Sequence, residues 1–434
     1  MASSITEKPT IQQTTIQIPD FLADWRQTAS WPSSYPPTRH PDSDYIKSES
    51  ESWLRSYCCA SSTNPNSINK GINDLFISKI IAGDFPEIAC LIYAHQPTRH
   101  VLLAALVMLH FFVIDEFTDN VEDTEAGEGE VRRQSAAMVR AFRHPGEVDE
   151  VSATTTGEDD EVWVGVRMAA DIAMRYRSDA VGGTSDSWDF FVDSFAEYLD
   201  GVGDEVALRR KVDKKGEECV PSREGYIAVR RLTIGVLPGM ALLLIDRAIR
   251  PNFLEIPAVD SLLRLCVDII INQNDIYSFD KEQAKGEDGH NGVRVLMEGD
   301  GVGVQEAMTK LGQETKVLVR DFVGLIEDCP TLEDEVDDVN LRILRDGCVS
   351  WIVGMEVWST LVTKRYGMQR LDGERRYTPT PKKGKTQMKE QQQQQQQQKE
   401  QRQQVPLARE GMMSLMRKLP GDLMSLLRRI FFGM

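Results

Sequence analysis

From about residue 46 to 370, apolar residues recur at intervals of three and four, and seldom at intervals of two. The segments SWLRSYCCA, DLFISKIIA, RHVLLAALVMLHFFVID and VDSLLRLCVDIIINQNDIYSF all carry this pattern. A 3.6-residue period gathers such positions on one face of a helix. The chain is therefore predicted to be all-α, with many helices around one core. At 434 residues, 41% apolar and 27% charged, it can bury a core of that size. Length alone suggests two or three domains, but a large helical fold can use most of such a chain as one unit.

The pattern stops in three places. Residues 1–45 are rich in Pro, Ser and Thr and read as an extended arm ahead of a helical domain at 46–372. Residues 145–161 (PGEVDEVSATTTGEDDE) read as a solvated acidic loop inside that domain. Residues 373–434 begin as a linker with glutamines at 391–398, which cannot bury a core. They end in GMMSLMRKLPGDLMSLLRRIFFGM, a dispensable tail or a basic amphipathic segment broken by Pro420 and Gly421.

The net charge of −17 argues against a nucleic-acid partner and suits a chain that gathers divalent cations. Seven cysteines without a CxxC pair argue against zinc and read as reduced thiols of a cytoplasmic protein. The N-terminus carries no apolar signal region. The longest apolar runs, 101–114 and 234–245, are short for a bilayer and are interrupted by His110 and Pro238, so no stable membrane insertion is expected. The sequence does not speak to oligomeric state.

Two clusters carry chemistry. The run VLLAALVMLHFFVIDEFTDN ends in carboxylates, with Asp115 and Asp119 four apart on one helix face and Glu116 about 100° away. Two such carboxylates repel in a low-dielectric pocket unless a cation neutralises them. A hard ion such as Mg²⁺ accepts oxygen ligands and keeps positions open for phosphate. A solvated helix end is the alternative. Asp334, Glu335 and Asp338 repeat the D-E-x-x-D spacing without an apolar run before them, and read as surface.

The second cluster lies in CVDIIINQNDIYSFDKE. Asn274, Ser278 and Glu282 are spaced by four and make an all-oxygen stripe suited to one Mg²⁺. Lys281 can reach a phosphate as a point charge. An ordinary polar stripe is the alternative, but it must explain Asn and Ser within a helix, where both have mediocre propensity. Arg230 and Arg231 in YIAVRRLTIGVLPG, and Arg365 and Tyr366 in WSTLVTKRYG, are candidate diphosphate donors. Taken singly, both pairs are common on solvated faces.

These segments resemble the class I terpene synthases, and most closely the fungal sesquiterpene synthases, over roughly residues 17–370. DEFTD at 115–119 is similar to the family's aspartate-rich motif. NDIYSFDKE at 274–282 is similar to its N-D-x-x-S-x-x-K-E motif at every signature position. Ala94, where many members carry proline, the 145–161 loop and everything after about 375 depart from the pattern. The resemblance implies a helical bundle around a central cavity that binds three Mg²⁺ ions and a prenyl diphosphate. It implies ionisation of that substrate, farnesyl diphosphate by the family's habit, and cyclisation to a sesquiterpene. Asp115 and Asp119 would serve the first ions, with Asp115 bridging two, and Asn274, Ser278 and Glu282 the third. Arg231, four residues before Gly235 as in the family's sensor, would grip the diphosphate with Lys281, Arg365 and Tyr366, leaving Arg230 a structural role.

Aromatic pocket candidates are Phe85, Phe111, Phe112, Trp351 and Trp358. Phe111 lies one turn before Asp115, and core packing is the alternative for each. A chain-elongating prenyltransferase would carry a second aspartate-rich motif in place of NDIYSFDKE. A catalytically inactive helical interaction protein of the same fold is the other competitor. Because a glutamine run adds no core, truncation at about residue 380 is predicted to leave activity intact. Loss of active protein on truncation would contradict this.

Overall fold

The computed structural model describes residues 15–58, 69, 72–119, 121, 124–148, 162–179, 185–209, 221–286, 288–371 and 374–380. Most of the 145–161 loop and nearly all of the C-terminal tail lie outside the described residues. The larger of two units draws on residues 1–281 and 288–379. Of the smaller, 282–287 and 380–434, only residues 282–286 and Thr380 are described.

The larger unit is helical, as the apolar period predicts. Its helices include α1 (Ser43–Ser56), α2 (Asp74–Ala82), α3 (Phe85–Ile92), α4 (Thr98–Asp119), α5 (Glu125–Arg143), α6 (Val164–Asp179) and α7 (Ser185–Arg209). They continue with α8 (Arg223–Thr233), α9 (Val236–Ala241), α10 (Pro257–Lys285), α11 (Gly292–Asp300), α12 (Val304–Glu327) and α13 (Glu335–Val357). Side-chain caps start several of them. Asn73, Thr124, Ser222, Asn291 and Asp334 each accept hydrogen bonds from backbone N–H groups of the first turn.

Helix α4 is apolar on nearly every side and is the hub of the core, packing against α1, α3 and α6. Its 22 residues outrun the apolar stretch 101–114, and by length and composition it could cross a bilayer, as could Arg223–Leu244. Most of α4 is instead covered by the other helices. The second stretch is broken between α8 and α9, where Gly235 adopts φ 72°.

Beyond the helices, the structure holds a small antiparallel sheet that the apolar period does not foretell. Strand β1 (Ile16–Gln17) pairs with β3 (Glu374–Tyr377), and β3 with β2 (Gln369–Leu371). The arm is thus not a free extension. Ile16, Ile18, Phe21, Leu22 and Trp25 are all buried.

The second D-E-x-x-D set proves structural. Asp334 caps α13, and Glu335, Asp337 and Asp338 occupy its first turn, where the helix dipole favours acids. Asp338 pairs with Arg342 at 2.8 Å.

His110, fully buried in α4, shares a hydrogen bond of 2.9 Å between Nε2 and the Gly165 carbonyl. Burial pushes its imidazole down to about 4. The unfolded chain takes up a proton near pH 6.5 while the folded one does not, so stability is present above that pH and is lost as pH falls. Between pH 7 and pH 5 this residue is predicted to remove ~2 kcal/mol of folding stability. Denaturant unfolding at both pH values checks it, with a shallower pH slope expected in His110→Gln and equal slopes contradicting the assignment.

Candidate active site

The D-E-x-x-D cluster at the end of α4 divides as helical spacing requires. Glu116 is buried and turns to α2, where Lys79 Nζ donates to it at 2.6 Å. Asp115 and Asp119 face the other way, and each meets an arginine from elsewhere. Arg365 lies 3.9 Å from Asp115, and Arg209, at the end of α7, lies 3.7 Å from Asp119. Arg209 also donates to the Thr118 carbonyl at 2.8 Å, capping α4. Both pairs are looser than hydrogen-bonded salt bridges.

The second cluster lies along α10. Asn274 and Ser278 sit one turn apart, with Glu282 a turn further along the same helix. Arg230 donates to Asn274 Oδ1 at 3.1 Å. Buried Asn291, at the cap of α11, reaches the Asp275 carbonyl at 3.0 Å and Ser278 Oγ at 3.4 Å. Asp275 is itself buried and accepts from the Tyr226 hydroxyl and from the Gly292 N–H at 3.0 Å. A Cβ at Gly292 would lie 2.5 Å from that carboxylate, so glycine is needed for the contact. Burial raises the Asp275 carboxyl above its ordinary range, and Arg230 counters this.

Of the two adjacent arginines, Arg230 turns toward Asn274, with Asp275 at 3.9 Å. Arg231 makes a two-pronged contact with Asp268, both arms at 2.8 Å, and keeps a side chain 40% exposed. The structure thus brings Arg230 to the second cluster and places Arg231 beside it on Asp268. Arg365 carries its guanidinium over the rings of Phe85 and Phe112, at 5.4 and 5.3 Å. Tyr366 is buried edge-on against Trp358. Lys281 is half-buried on α10.

Among the aromatic candidates, Phe111 is half-buried, stacked on Phe195 and edge-on to Tyr198 at 5.0 Å. It faces Gly235, where a Cβ would meet its ring at 3.5 Å. Phe85 is fully buried and stacks on Phe112. Trp351 and Trp358 pack into the core, the latter donating to the Asp84 carbonyl.

Helix α7 supplies residues that the sequence reading does not single out. Tyr198 is buried, and burial, together with the nearby carboxylates of Asp115, Glu205 and Asp119, pushes its phenol far above the ordinary range. Its ring meets that of Phe111, one turn before Asp115. Glu205 is half-buried, and His290, Arg230 and Arg209 nearby hold its carboxyl below the ordinary range. These residues belong to no short motif, and only the i, i+3 spacing of Phe195 and Tyr198 hints at a shared face.

The donors fit a hard divalent cation. They are carboxylate, amide and hydroxyl oxygens on two helices, without sulfur. No group of three His, Cys, Asp or Glu side chains suited to an ion occurs among the described residues. A complete shell there would need oxygens from phosphate or water, the arrangement Mg²⁺ favours.

Residues 106–321 match the family model for terpene synthase family 2, C-terminal metal binding. The matched span contains both clusters together with Arg230 and Arg231, and ends before Arg365. The chain is 27% identical to a Delta(6)-protoilludene synthase of Stereum hirsutum over 82% of its own length and 85% of the relative's. It is 28% identical to sesquiterpene synthase 9 of Postia placenta over 82% and 91%. Among solved structures, germacradien-4-ol synthase of Streptomyces citricolor superposes with a TM-score of 0.56 at 19% identity, covering 74% of this chain and 94% of that one. At that identity the likeness is one of fold. In its all-α fold and in the metal-binding span that carries both clusters, the chain is similar to the terpene synthases.

Proposed function

We propose that the protein is a Mg²⁺-dependent sesquiterpene synthase. It ionises farnesyl diphosphate, releases diphosphate and closes the resulting carbocation to a cyclic hydrocarbon or alcohol. The observation that carries this reading is the bridge between the two clusters. Phe111, one turn before Asp115, faces Gly235 just beyond α8, and Arg230 of α8 donates to Asn274. Two sets of hard oxygen donors and several guanidinium groups thus border one region, as a metal-bound diphosphate requires. The relatives named as sesquiterpene synthases support a fifteen-carbon substrate.

In this reading Asp115 and Asp119 would hold two of three Mg²⁺ ions, and Asn274, Ser278 and Glu282 would hold the third. When bound, the ions supply Lewis acidity and neutralise the negative charge of the departing diphosphate. Lys281, Arg365 and Tyr366 grip its oxygens. Of the adjacent arginines, the geometry favours Arg230 for direct contact, because Arg231 would first have to leave Asp268. Arg365 would trade its loose pair with Asp115 for phosphate oxygens. No protein nucleophile is needed. Phe111, with Phe85 and Phe112 behind, offers aromatic faces to the cation in a space that must exclude water.

Incubation with farnesyl diphosphate and Mg²⁺, followed by gas chromatography–mass spectrometry of the extract, is predicted to yield a cyclic terpenoid that EDTA abolishes. Asp115→Asn and Asn274→Ala are each predicted to lower turnover by about 10²-fold while leaving the melting temperature nearly unchanged. Unchanged product formation in both variants would overturn the assignment of the two clusters.

A further inference from the structure

The Asn274–Ser278 turn of α10 is pinned on both flanks. One anchor is Asp275, described above. The other is Glu356 of α13, which is 1% exposed. It accepts hydrogen bonds from the Tyr277 hydroxyl and from Arg375. Arg26 NH2 and Gln273 Nε2 each lie 3.5 Å from its oxygens, and Arg375 NH1 lies 3.3 Å from the Tyr277 oxygen. Gln273 further donates to the Ile352 carbonyl at 3.1 Å. Four separate segments therefore meet at one carboxylate: the N-terminal arm through Arg26, α10 through Gln273 and Tyr277, α13 itself, and strand β3 through Arg375.

Such a cluster is a poor way to gain stability. Burying a carboxylate and guanidinium groups costs desolvation that apolar packing would avoid. What it does supply is direction, because hydrogen bonds fix orientation where apolar contacts do not. Tyr277 immediately precedes Ser278. Arg375 belongs to the hairpin that follows Arg365 and Tyr366, and β1 of the arm closes the same sheet.

We propose that Glu356 is a positioning residue for the metal–diphosphate site. It fixes the rotation of the Asn274–Ser278 turn and, through Arg375, the place of the Arg365–Tyr366 pair relative to it. The N-terminal arm thereby contributes to ligand binding without touching the ligand. This inference rests on the Mg²⁺–diphosphate reading of the site.

The test uses the full chain, with inorganic diphosphate and Mg²⁺ as probes and thermal stability as the readout. Tyr277→Phe keeps the ring packed near Phe21 and removes only the hydroxyl. Arg375→Gln unhooks the hairpin. Each is expected to raise the Mg²⁺ concentration for half-maximal stabilisation by about tenfold. The ligand-free melting temperature should fall by only a few degrees. The double variant should be no worse than the weaker-binding single one, since both act through one carboxylate. With farnesyl diphosphate, KM should rise more than kcat falls. Should Arg375→Gln not fold, Arg26→Gln addresses the same carboxylate from the arm. Midpoints within twofold of wild type in the single variants would overturn the proposal while leaving the site assignment standing. No stabilisation of the wild type by Mg²⁺ and diphosphate would overturn both.

Discussion

Asp115 and Asp119 stand at the carbonyl end of α4, a helix largely covered by its neighbours, where the helix dipole opposes negative charge and where the two carboxylates repel each other. Stability alone would not place them there. The surrounding structure answers with positive charge from two directions: Arg209 from α7 and Arg365 from beyond α13. The acids at 334–338 show the contrast. They have the same spacing but sit at the amide end of α13, where the dipole welcomes them and a cap forms. The same letters cap a helix at one place and crowd negative charge against the dipole at the other.

Helix α10 faces the complementary demand. Its polar stripe must point in one direction although the helix is buried among α8, α11 and α13. Buried hydrogen bonds supply that constraint. Tyr226 and the amide end of α11 hold Asp275, and α13 holds Gln273 and Tyr277. Asp275, Gln273 and Tyr277 therefore fix how the helix is turned around Asn274 and Ser278.

Much of this is legible in the sequence. The apolar period specifies the helices, and the long apolar run before Asp115 distinguishes that cluster from its copy at 334–338. Other features are not. Strands of two to four residues show no period, so the sheet joining the arm to 369–377 leaves no trace. The choice between Arg230 and Arg231 depends on a rotation of about 100° per residue, and spacing from Gly235 cannot supply it without knowing which face α8 turns inward. Tyr198, Glu205 and Arg209 come from a helix that carries no short motif, and their roles arise only from what α7 packs against. Phe85 reads as a pocket residue from its position, but in the structure it backs Phe112 instead.

On this reading the carbonyl end of α4 and the middle of α10 would together hold one metal–diphosphate assembly. Diffraction from crystals grown with Mn²⁺ and inorganic diphosphate, recorded at the manganese absorption edge, tests it most directly. The account predicts anomalous peaks beside Asp115 and beside the Asn274–Ser278 turn, with diphosphate between them and Arg230 and Arg365 turned onto its oxygens. Peaks confined to other acidic positions, or diphosphate bound away from both clusters, would contradict it.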